Sequence, residues 1–318
     1  MSEGGWRRFC LVGIGGHARN RLIPALVANG QEIAGLVSSK PASALPDAPV
    51  FPDVAVAVAG LPPETAFIIA SPPSAHSAQA EIILRAGRDL IVEKPSFVTR
   101  AEAESAAAIA DSNGAVLVEG FMNRYTRTHR RFLGDCANIG LSSIEATFTI
   151  PAAPPGTFRS DPAICASNLY DMTSYFLAAL LDSGLSLDAI DIVSVDRPGI
   201  PDREQLRISG RAGAVPVTAT IGIDDVYANR LTLAAVDGAT MSYSPFFFGR
   251  AGPRTVIVAK GSAVSEQMID DDNGFEAMLA IPRDQWLADQ AARMDRMITL
   301  TAALERMGRS LLRFRTGD

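Results

Sequence analysis

Glu93, Lys94 and Pro95 close the apolar run Leu90-Ile91-Val92. A carboxylate and an ammonium at the mouth of a buried strand are costly to desolvate unless they have work to do. Pro95 biases Lys94 toward extended backbone and stops the strand there. The pattern predicts a fixed cation at the carboxyl end of a strand, where open α/β sheets hold their ligands. Taken alone, the tripeptide fits a solvated loop equally well.

A second constellation lies at the start of the chain. Gly13, Gly15 and Ala18 fit G-x-G-x-x-[GA] within Leu11-Val12-Gly13-Ile14-Gly15-Gly16-His17-Ala18. The segment follows an apolar strand pattern and opens a helical one, which is the context a dinucleotide fingerprint requires. Gly13 permits the tight turn, Gly15 and Gly16 let backbone approach a diphosphate, and Ala18 allows close helix–sheet packing. The phosphates would rest on amides at the helix N-terminus. His17 is near enough to touch a phosphate, although a solvated His17 is the plainer reading. The next strand ends Leu36-Val37-Ser38-Ser39-Lys40, without the acidic residue that would accept the ribose hydroxyls of NAD. Ser38, Ser39 and Lys40 offer donors and a positive charge to a 2′-phosphate instead. NADP(H) is therefore favoured and NAD(H) remains possible.

The bulk properties set the frame. The 318 residues suit two domains, and 47% of them are hydrophobic, ample for burial. The formal charge of −6 argues against bulk nucleic-acid binding. No apolar stretch reaches the roughly 18 residues of a membrane span, and the opening MSEGGWRRF carries no apolar signal region. Cys10, Cys136 and Cys165 have neither metal nor disulfide spacing, so a reducing cytoplasm is expected and no metal is implied. The basic stretch Arg124 to Arg131 reads as one charged helix face, except for Arg124.

Two patterns divide the chain. Up to about residue 120, short apolar strands alternate with helical segments (Phe9–Val12, Ala18–Asn29, Glu32–Val37, Thr65–Ala70, His76–Ala86, Leu90–Val92, Ala101–Asp111, Ala115–Val118). That rhythm implies parallel strands with right-handed crossovers. Beyond it, strands follow one another through turns: Ser143–Ile150, Ile190–Val195, Gln205–Ser209, Val215–Ile223, Arg230–Val236, Thr240–Ser244 and Thr255–Val258. Several alternate with period two, as expected of a mostly antiparallel sheet with an open face. A helix over about 167–181 interrupts the series, and a long helical pattern over about 284–312 ends it. The expected fold is α/β plus α+β. An N-terminal Rossmann domain spans 1–120, and a C-terminal domain with an open, mostly antiparallel sheet spans 121–318. The last helix is expected to pack back on the first domain.

At this point the chain resembles the Gfo/Idh/MocA oxidoreductases, the family of glucose-fructose oxidoreductase and inositol dehydrogenase. The resemblance is carried by the glycine loop, Ala70-Ser71-Pro72-Pro73-Ser74-Ala75-His76, Glu93-Lys94-Pro95, Glu119-Gly120-Phe121-Met122-Asn123-Arg124-Tyr125 and Leu169-Tyr170-Asp171-Met172-Thr173-Ser174-Tyr175. It implies that Ser71, Pro72 and His76 line the nicotinamide-ribose side of the cofactor and that Glu93 and Lys94 flank the nicotinamide. It also implies that Asp171 faces the substrate. Tyr175 stands where many members have the histidine that donates or accepts a proton. The i, i+4 spacing puts Asp171 and Tyr175 on one helix face, although Tyr175 also fits a core position beside Tyr170 and Phe176. Arg124 and Arg159 are expected on the substrate. Cys165-Ala166-Ser167-Asn168 replaces the family's glycine run, and Thr173 stands where a smaller residue is usual.

The activity expected from the resemblance is NADP(H)-dependent hydride transfer at a carbon of a sugar, nucleotide sugar or polyol. Lys94, Tyr175 and Asp171 would be its catalytic residues. Two alternatives stay open: an enzyme that retains NAD(P) and uses transient oxidation for hydrolysis or elimination, and a non-catalytic NADP(H)-binding sensor or scaffold. A homodimer or homotetramer through the open sheet is expected, with no nucleic-acid or membrane partner.

Overall fold

The buried runs of the first third form parallel strands. The structure, a computed structural model, describes residues 6–38, 48–152, 154, 167–200, 203–224 and 226–317. Backbone packing divides the chain into two units, Met1–Phe121 with Phe275–Thr301, and Met122–Gly274 with Ala302–Asp318.

In the first unit, β1 (Arg8–Val12), β2 (Glu32–Val37), β3 (Val50–Phe51), β4 (Ala66–Ile69), β5 (Leu90–Glu93) and β6 (Leu117–Gly120) form a six-stranded sheet in the order β3-β2-β1-β4-β5-β6. Every pairing in it is parallel. β1, β4 and β5 are apolar and buried on both faces, as strands covered by helices must be. The order reverses between β1 and β4, and doubly wound sheets bind ligands outside the carboxyl ends of the strands at such a point. The helices between the strands are α1 (Ile23–Ala28), α2 (Val54–Gly60), α3 (His76–Arg85) and α4 (Arg100–Ser112). Asp53 caps α2 by accepting from the Val56 amide at 2.9 Å. A full capping box between Thr99 and Glu102 starts α4. The buried Arg88 guanidinium closes the other end of α2, donating to the carbonyls of Val58 and Leu61 at 3.0 and 2.8 Å.

The chain returns to this unit at Phe275. Trp286 stacks on Trp6 at 6.2 Å. Arg283 donates to both Asp89 oxygens at 2.6 and 3.1 Å, and Trp6 donates to the same carboxylate at 2.8 Å. Gln290 bridges backbone groups of Ala115 and Leu117 at the start of β6. The helical pattern over 284–312 is two helices, Arg283–Ala288 and Gln290–Thr316, separated at Asp289. The longer one contributes Gln290–Thr301 to the first unit and its remainder to the second.

In the second unit, β7 (Leu141–Ile150), β8 (Ala189–Asp196), β9 (Gln205–Ala212), β10 (Val215–Ile223), β11 (Ala228–Ala235), β12 (Thr240–Ser244), β13 (Gly252–Lys260) and β14 (Ala263–Asp271) form an eight-stranded sheet. The order is β14-β13-β12-β11-β7-β10-β9-β8, with β7–β10 the parallel pair and antiparallel pairing elsewhere. The expected class, a Rossmann domain plus a mostly antiparallel sheet, is the observed one. Period-two alternation buries Ile144, Ala146, Val217, Ala219, Leu231, Leu233, Tyr243 and Val256 on one face. It leaves Glu145, Thr218, Arg230 and Ile257 exposed on the other. β14 escaped the sequence reading because nearly every residue of it is exposed, so it carries no alternation. β3 has two residues, too few for any pattern.

The helices of this unit include α5 (Arg127–Asn138) and α6 (Ser174–Asp182). The basic stretch lies on α5 as a charged face, with Arg127 on Asp272 at 2.8 Å and Arg131 on Asp135 at 2.7 Å. The C-terminal helix is anchored here by Ser310 on Asp191 at 2.7 Å. Arg315 also holds Glu204, whose side chain is fully buried, through two contacts of 2.9 and 2.7 Å.

Candidate functional site

The cofactor half is assembled in the first unit at the ends of β1, β4 and β5. Gly13 leaves β1 at φ +91, and its amide donates to Val37 at 3.0 Å. A Cβ at Gly13 would stand 2.7 Å from the Ser71 nitrogen and 2.8 Å from its Cα. Only glycine satisfies both the dihedral and the approach. A Cβ at Gly15 would meet nothing within 4 Å. The turn therefore presses against the loop after β4 at Gly13 and opens outward at Gly15. Helix follows at once, and Ala18 is fully buried beneath it. A close packing position, an open glycine and a helix N-terminus are what a dinucleotide diphosphate requires. The residues present fit that group.

The helix after the turn is not regular. Ala18–Leu22 is a π-helical stretch that continues into α1. Such stretches concentrate at functional sites. It follows His17, whose Nε2 lies 2.9 Å from Glu93 Oε1. The Glu93 side chain is 8% exposed and that of His17 is 42% exposed. The Phe275 ring packs on His17 at 5.5 Å. Gly120 fits against Glu93 from β6, where a Cβ would come within 3.1 Å of its Cα. Glu93, expected beside the nicotinamide, is thus held from the glycine loop. Lys94 follows at the carboxyl end of β5, half-buried, joined to Pro95 by a cis peptide bond. Glu119, at the end of β6, is buried and accepts from Ser96 at 3.1 Å.

His76, expected on the nicotinamide-ribose side, is buried. It is 1% exposed, and both ring nitrogens lie on backbone carbonyls. Nε2 is 2.9 Å from Ser71 O, and Nδ1 is 3.0 Å from Pro95 O and 3.2 Å from Ser96 O. Its ring ties the loop after β4 to the loop after β5. Burial holds this imidazole below its ordinary pKa, against the raising effect of those carbonyls and of Glu93. Ser71 donates to Gln79 at 2.6 Å, and Pro72 beside it is exposed. Ser38 donates its amide to Phe51 at 3.3 Å. Ser39 and Lys40 lie outside the described residues.

The other half of the expected site belongs to the second unit. Leu169–Thr173 is a second π-helical stretch, and it runs into α6. Asp171 lies within it and Tyr175 in the first turn of α6, both 6% exposed. The Tyr175 hydroxyl donates to Met122 Sδ at 3.6 Å. Its ring meets Phe148 at 6.0 Å and Phe247 at 6.5 Å. The ring is thus packed among aromatic side chains, while the hydroxyl reaches a soft, weakly basic acceptor. Thr173 is completely buried.

Arg124, expected on the substrate, also has a partner within its own unit. It is the cation of a largely buried ion pair, its Nε 2.8 Å from Asp182 Oδ2 with side chains 15% and 11% exposed. His129 Nε2 approaches the same oxygen at 3.1 Å. Burial pushes the Asp182 carboxyl up, but Arg124 and His129 outweigh it and hold the group below its ordinary range. Arg159 lies outside the described residues. Met122, Phe148, Phe247, Phe275, Asp182 and His129 were not singled out from the sequence. Each is distant in the chain from the residue it serves, and no local signal marks it.

Fold and loops together define a parallel, doubly wound sheet with a glycine turn after β1 and a second, mostly antiparallel sheet. Residues 7–121 match the Gfo/Idh/MocA model, described as an oxidoreductase family with an NAD-binding Rossmann fold. Over those residues the chain is similar to that family. Two curated relatives carry the name dTDP-3,4-didehydro-2,6-dideoxy-alpha-D-glucose 3-reductase. The protein from Streptomyces antibioticus is 34% identical over 182 residues, 55% of this chain and 56% of the relative. The one from Actinomadura kijaniata is 31% identical over 162 residues, 48% of each. The chain thus spans about half the length of the curated relatives it matches. Among solved structures, a 3-ketoreductase from Actinomadura kijaniata in complex with NADP and TDP-benzene superposes with TM-score 0.80 at 19% identity, covering 95% of this chain and 97% of that one. An aldose-aldose oxidoreductase from Caulobacter crescentus gives TM-score 0.79 at 17% identity, covering 98% and 97%. At those identities the likeness is one of fold, and it extends across both units. No helix among the described residues is long and apolar enough to cross a membrane.

Proposed function

We propose that the protein is an NADP(H)-dependent oxidoreductase that moves a hydride between nicotinamide and a ring carbon of a sugar. A dTDP-linked keto-sugar is the first substrate class to test. The observation that carries the reading is Lys94 at the end of β5, in the same unit as a glycine turn that opens outward at Gly15. The named activity of the curated relatives supports the direction of reduction and the nucleotide-linked sugar. The hydride chemistry belongs to the bound nicotinamide.

In this reading Gly13, Gly15, Gly16 and Ala18 hold the diphosphate, and Ser38, Ser39 and Lys40 receive the 2′-phosphate. Glu93, steadied by His17, and Ser71 with Pro72 shape the nicotinamide side. Lys94 holds positive charge at the reacting oxygen and tunes proton transfer. Tyr175 donates the proton that completes reduction of the carbonyl, Asp171 orients hydroxyls, and Arg159 meets the nucleotide-sugar end. A second copy of the chain on the exposed face of the second sheet and a cytoplasmic location complete the proposal. The alternation that leaves Glu145, Thr218 and Ile257 outward supports the former.

The test is NADPH oxidation against a panel of keto-sugars with and without a dTDP group, repeated with Tyr175→Phe. The proposal expects turnover of a dTDP-keto-sugar, and its collapse in Tyr175→Phe with NADPH affinity held. No turnover across the panel removes the reading. Equal turnover in Tyr175→Phe moves the proton to Lys94 or Asp171.

A further inference from the structure

The aromatic wall around Tyr175 is fixed from a distance. Asn229 sits in β11 and is 3% exposed. Its Oδ1 accepts from two successive amides, Phe246 at 2.9 Å and Phe247 at 2.7 Å. Its Nδ2 donates to the Phe247 carbonyl at 3.2 Å and to the Tyr227 hydroxyl at 3.2 Å. One buried side chain therefore satisfies three backbone groups in the turn that leaves β12. A primary amide is the only uncharged side-chain group able to accept two N–H bonds and donate two more. Aspartate would set an anion against the Phe247 carbonyl, and leucine would orphan all three groups.

The turn carries Phe247 to where it matters. Its ring stacks on Phe148 at 5.2 Å with planes 28° apart, and both rings meet Tyr175, at 6.5 and 6.0 Å. Phe148 comes from β7 and Tyr175 from α6, so Phe247 is the side of this triangle held by a loop rather than by a regular element. A phenol turns about two side-chain torsions, and its hydroxyl swings widest when the ring moves. Fixing the Phe247 ring limits that swing.

We propose that Asn229 is a positioning residue for Tyr175: by clamping the Phe246–Phe247 turn it sets the ring wall that aims the Tyr175 hydroxyl. The inference rests on the proposed role of Tyr175 for its effect on turnover, but not for its geometry. An ångström of misplacement at a reacting group costs on the order of 10²-fold in rate. Loss of the clamp is expected to reduce turnover by about 10- to 100-fold on that basis.

The experiment uses the full chain labelled with 13Cζ-tyrosine. There are five tyrosines, and Tyr175→Phe assigns the resonance of interest by its disappearance. Three further variants are compared with wild type: Asn229→Ala, Phe247→Leu and Tyr227→Phe. The proposal expects the Tyr175 resonance to shift or broaden in the first two. It expects that resonance unchanged in Tyr227→Phe, which removes only the outer bond of Asn229. Should Asn229→Ala not fold, Asn229→Asp, which keeps the acceptor for both amides and loses the donor to the Phe247 carbonyl, decides in its place. A Tyr175 resonance at its wild-type position in the folded variants overturns the proposal whatever their turnover. If the resonance moves while Tyr175→Phe turns over like wild type, the clamp stands and the catalytic reading of Tyr175 falls.

Discussion

Glu93 and His17 are partners across the first sheet: the buried carboxylate at the end of β5 takes a contact of 2.9 Å from the ring in the glycine turn after β1. The pair locks the element that carries Lys94 to the element that would carry the diphosphate. Removing His17 leaves a buried carboxylate short of one partner. His17→Ala is expected to cost about 0.5–1.5 kcal/mol, less than a fully buried charged bond because His17 is partly exposed. Urea unfolding followed by tryptophan fluorescence measures it cleanly, because Trp6 and Trp286 are the two tryptophans of the chain and both lie in the first unit. Glu93→Gln in the same background should recover part of the loss. Strict additivity of the two changes would mean that the contact carries no coupling.

Lys94→Met keeps most of the stem and deletes the charge. With a substrate in hand, turnover should fall about 10²–10⁴-fold, the range for a positioned proton-transfer partner. The tryptophan-monitored midpoint should stay close to wild type. Near-wild-type turnover reduces Glu93-Lys94-Pro95 to a structural turn.

Arg124 and Asp182 predict a loss of stability rather than a loss of binding. Arg124→Met strands the Asp182 carboxylate with His129 as its remaining named partner. Breaking a buried pair costs about 3–5 kcal/mol, and residual exposure brings the expectation here to about 2–3 kcal/mol. Circular dichroism on heating should show the lowered midpoint. A second change, Asp182→Asn, should recover part of it. A variant of unchanged midpoint but weakened sugar binding would assign Arg124 to the substrate rather than to the fold.

His76 predicts a pH dependence. Its folded pKa is lowered by burial from an ordinary value of 6.5. The unfolded chain therefore takes up the proton first as pH falls, so stability contributed by the neutral ring is full above about 6.5 and declines below it. The tryptophan-monitored midpoint should drop between pH 7.5 and 5.5 in wild type, at roughly the ordinary histidine range. His76→Gln, which cannot titrate, should show a flatter profile. Parallel profiles for the two proteins would assign the acid sensitivity elsewhere.

Local chemistry made much of the first unit legible before any coordinates. Alternating apolar strands and helices, Gly13 and Gly15 at a strand–helix junction, and Glu93-Lys94-Pro95 at a strand end are all written within short windows. Each window is shaped by backbone sterics and by burial of one face. The same holds for most strands of the second sheet, where period two marks the buried side, and it fails for β14, whose exposed residues have no buried side to mark. The two π-helical stretches were invisible because they change the hydrogen-bond step, not the residue types.

What only the tertiary structure decided is which distant groups meet. Glu93 finds His17 across 76 positions, Arg124 finds Asp182 across 58, and Asn229 meets Phe246 and Phe247 across a strand and a turn. His76 meets the carbonyls of Ser71 and Pro95, and so joins two loops that follow different strands. The spacing of residues along a chain sets what a segment can form. The order of strands in a sheet and the desolvation cost of every buried polar group set which partner each one must find.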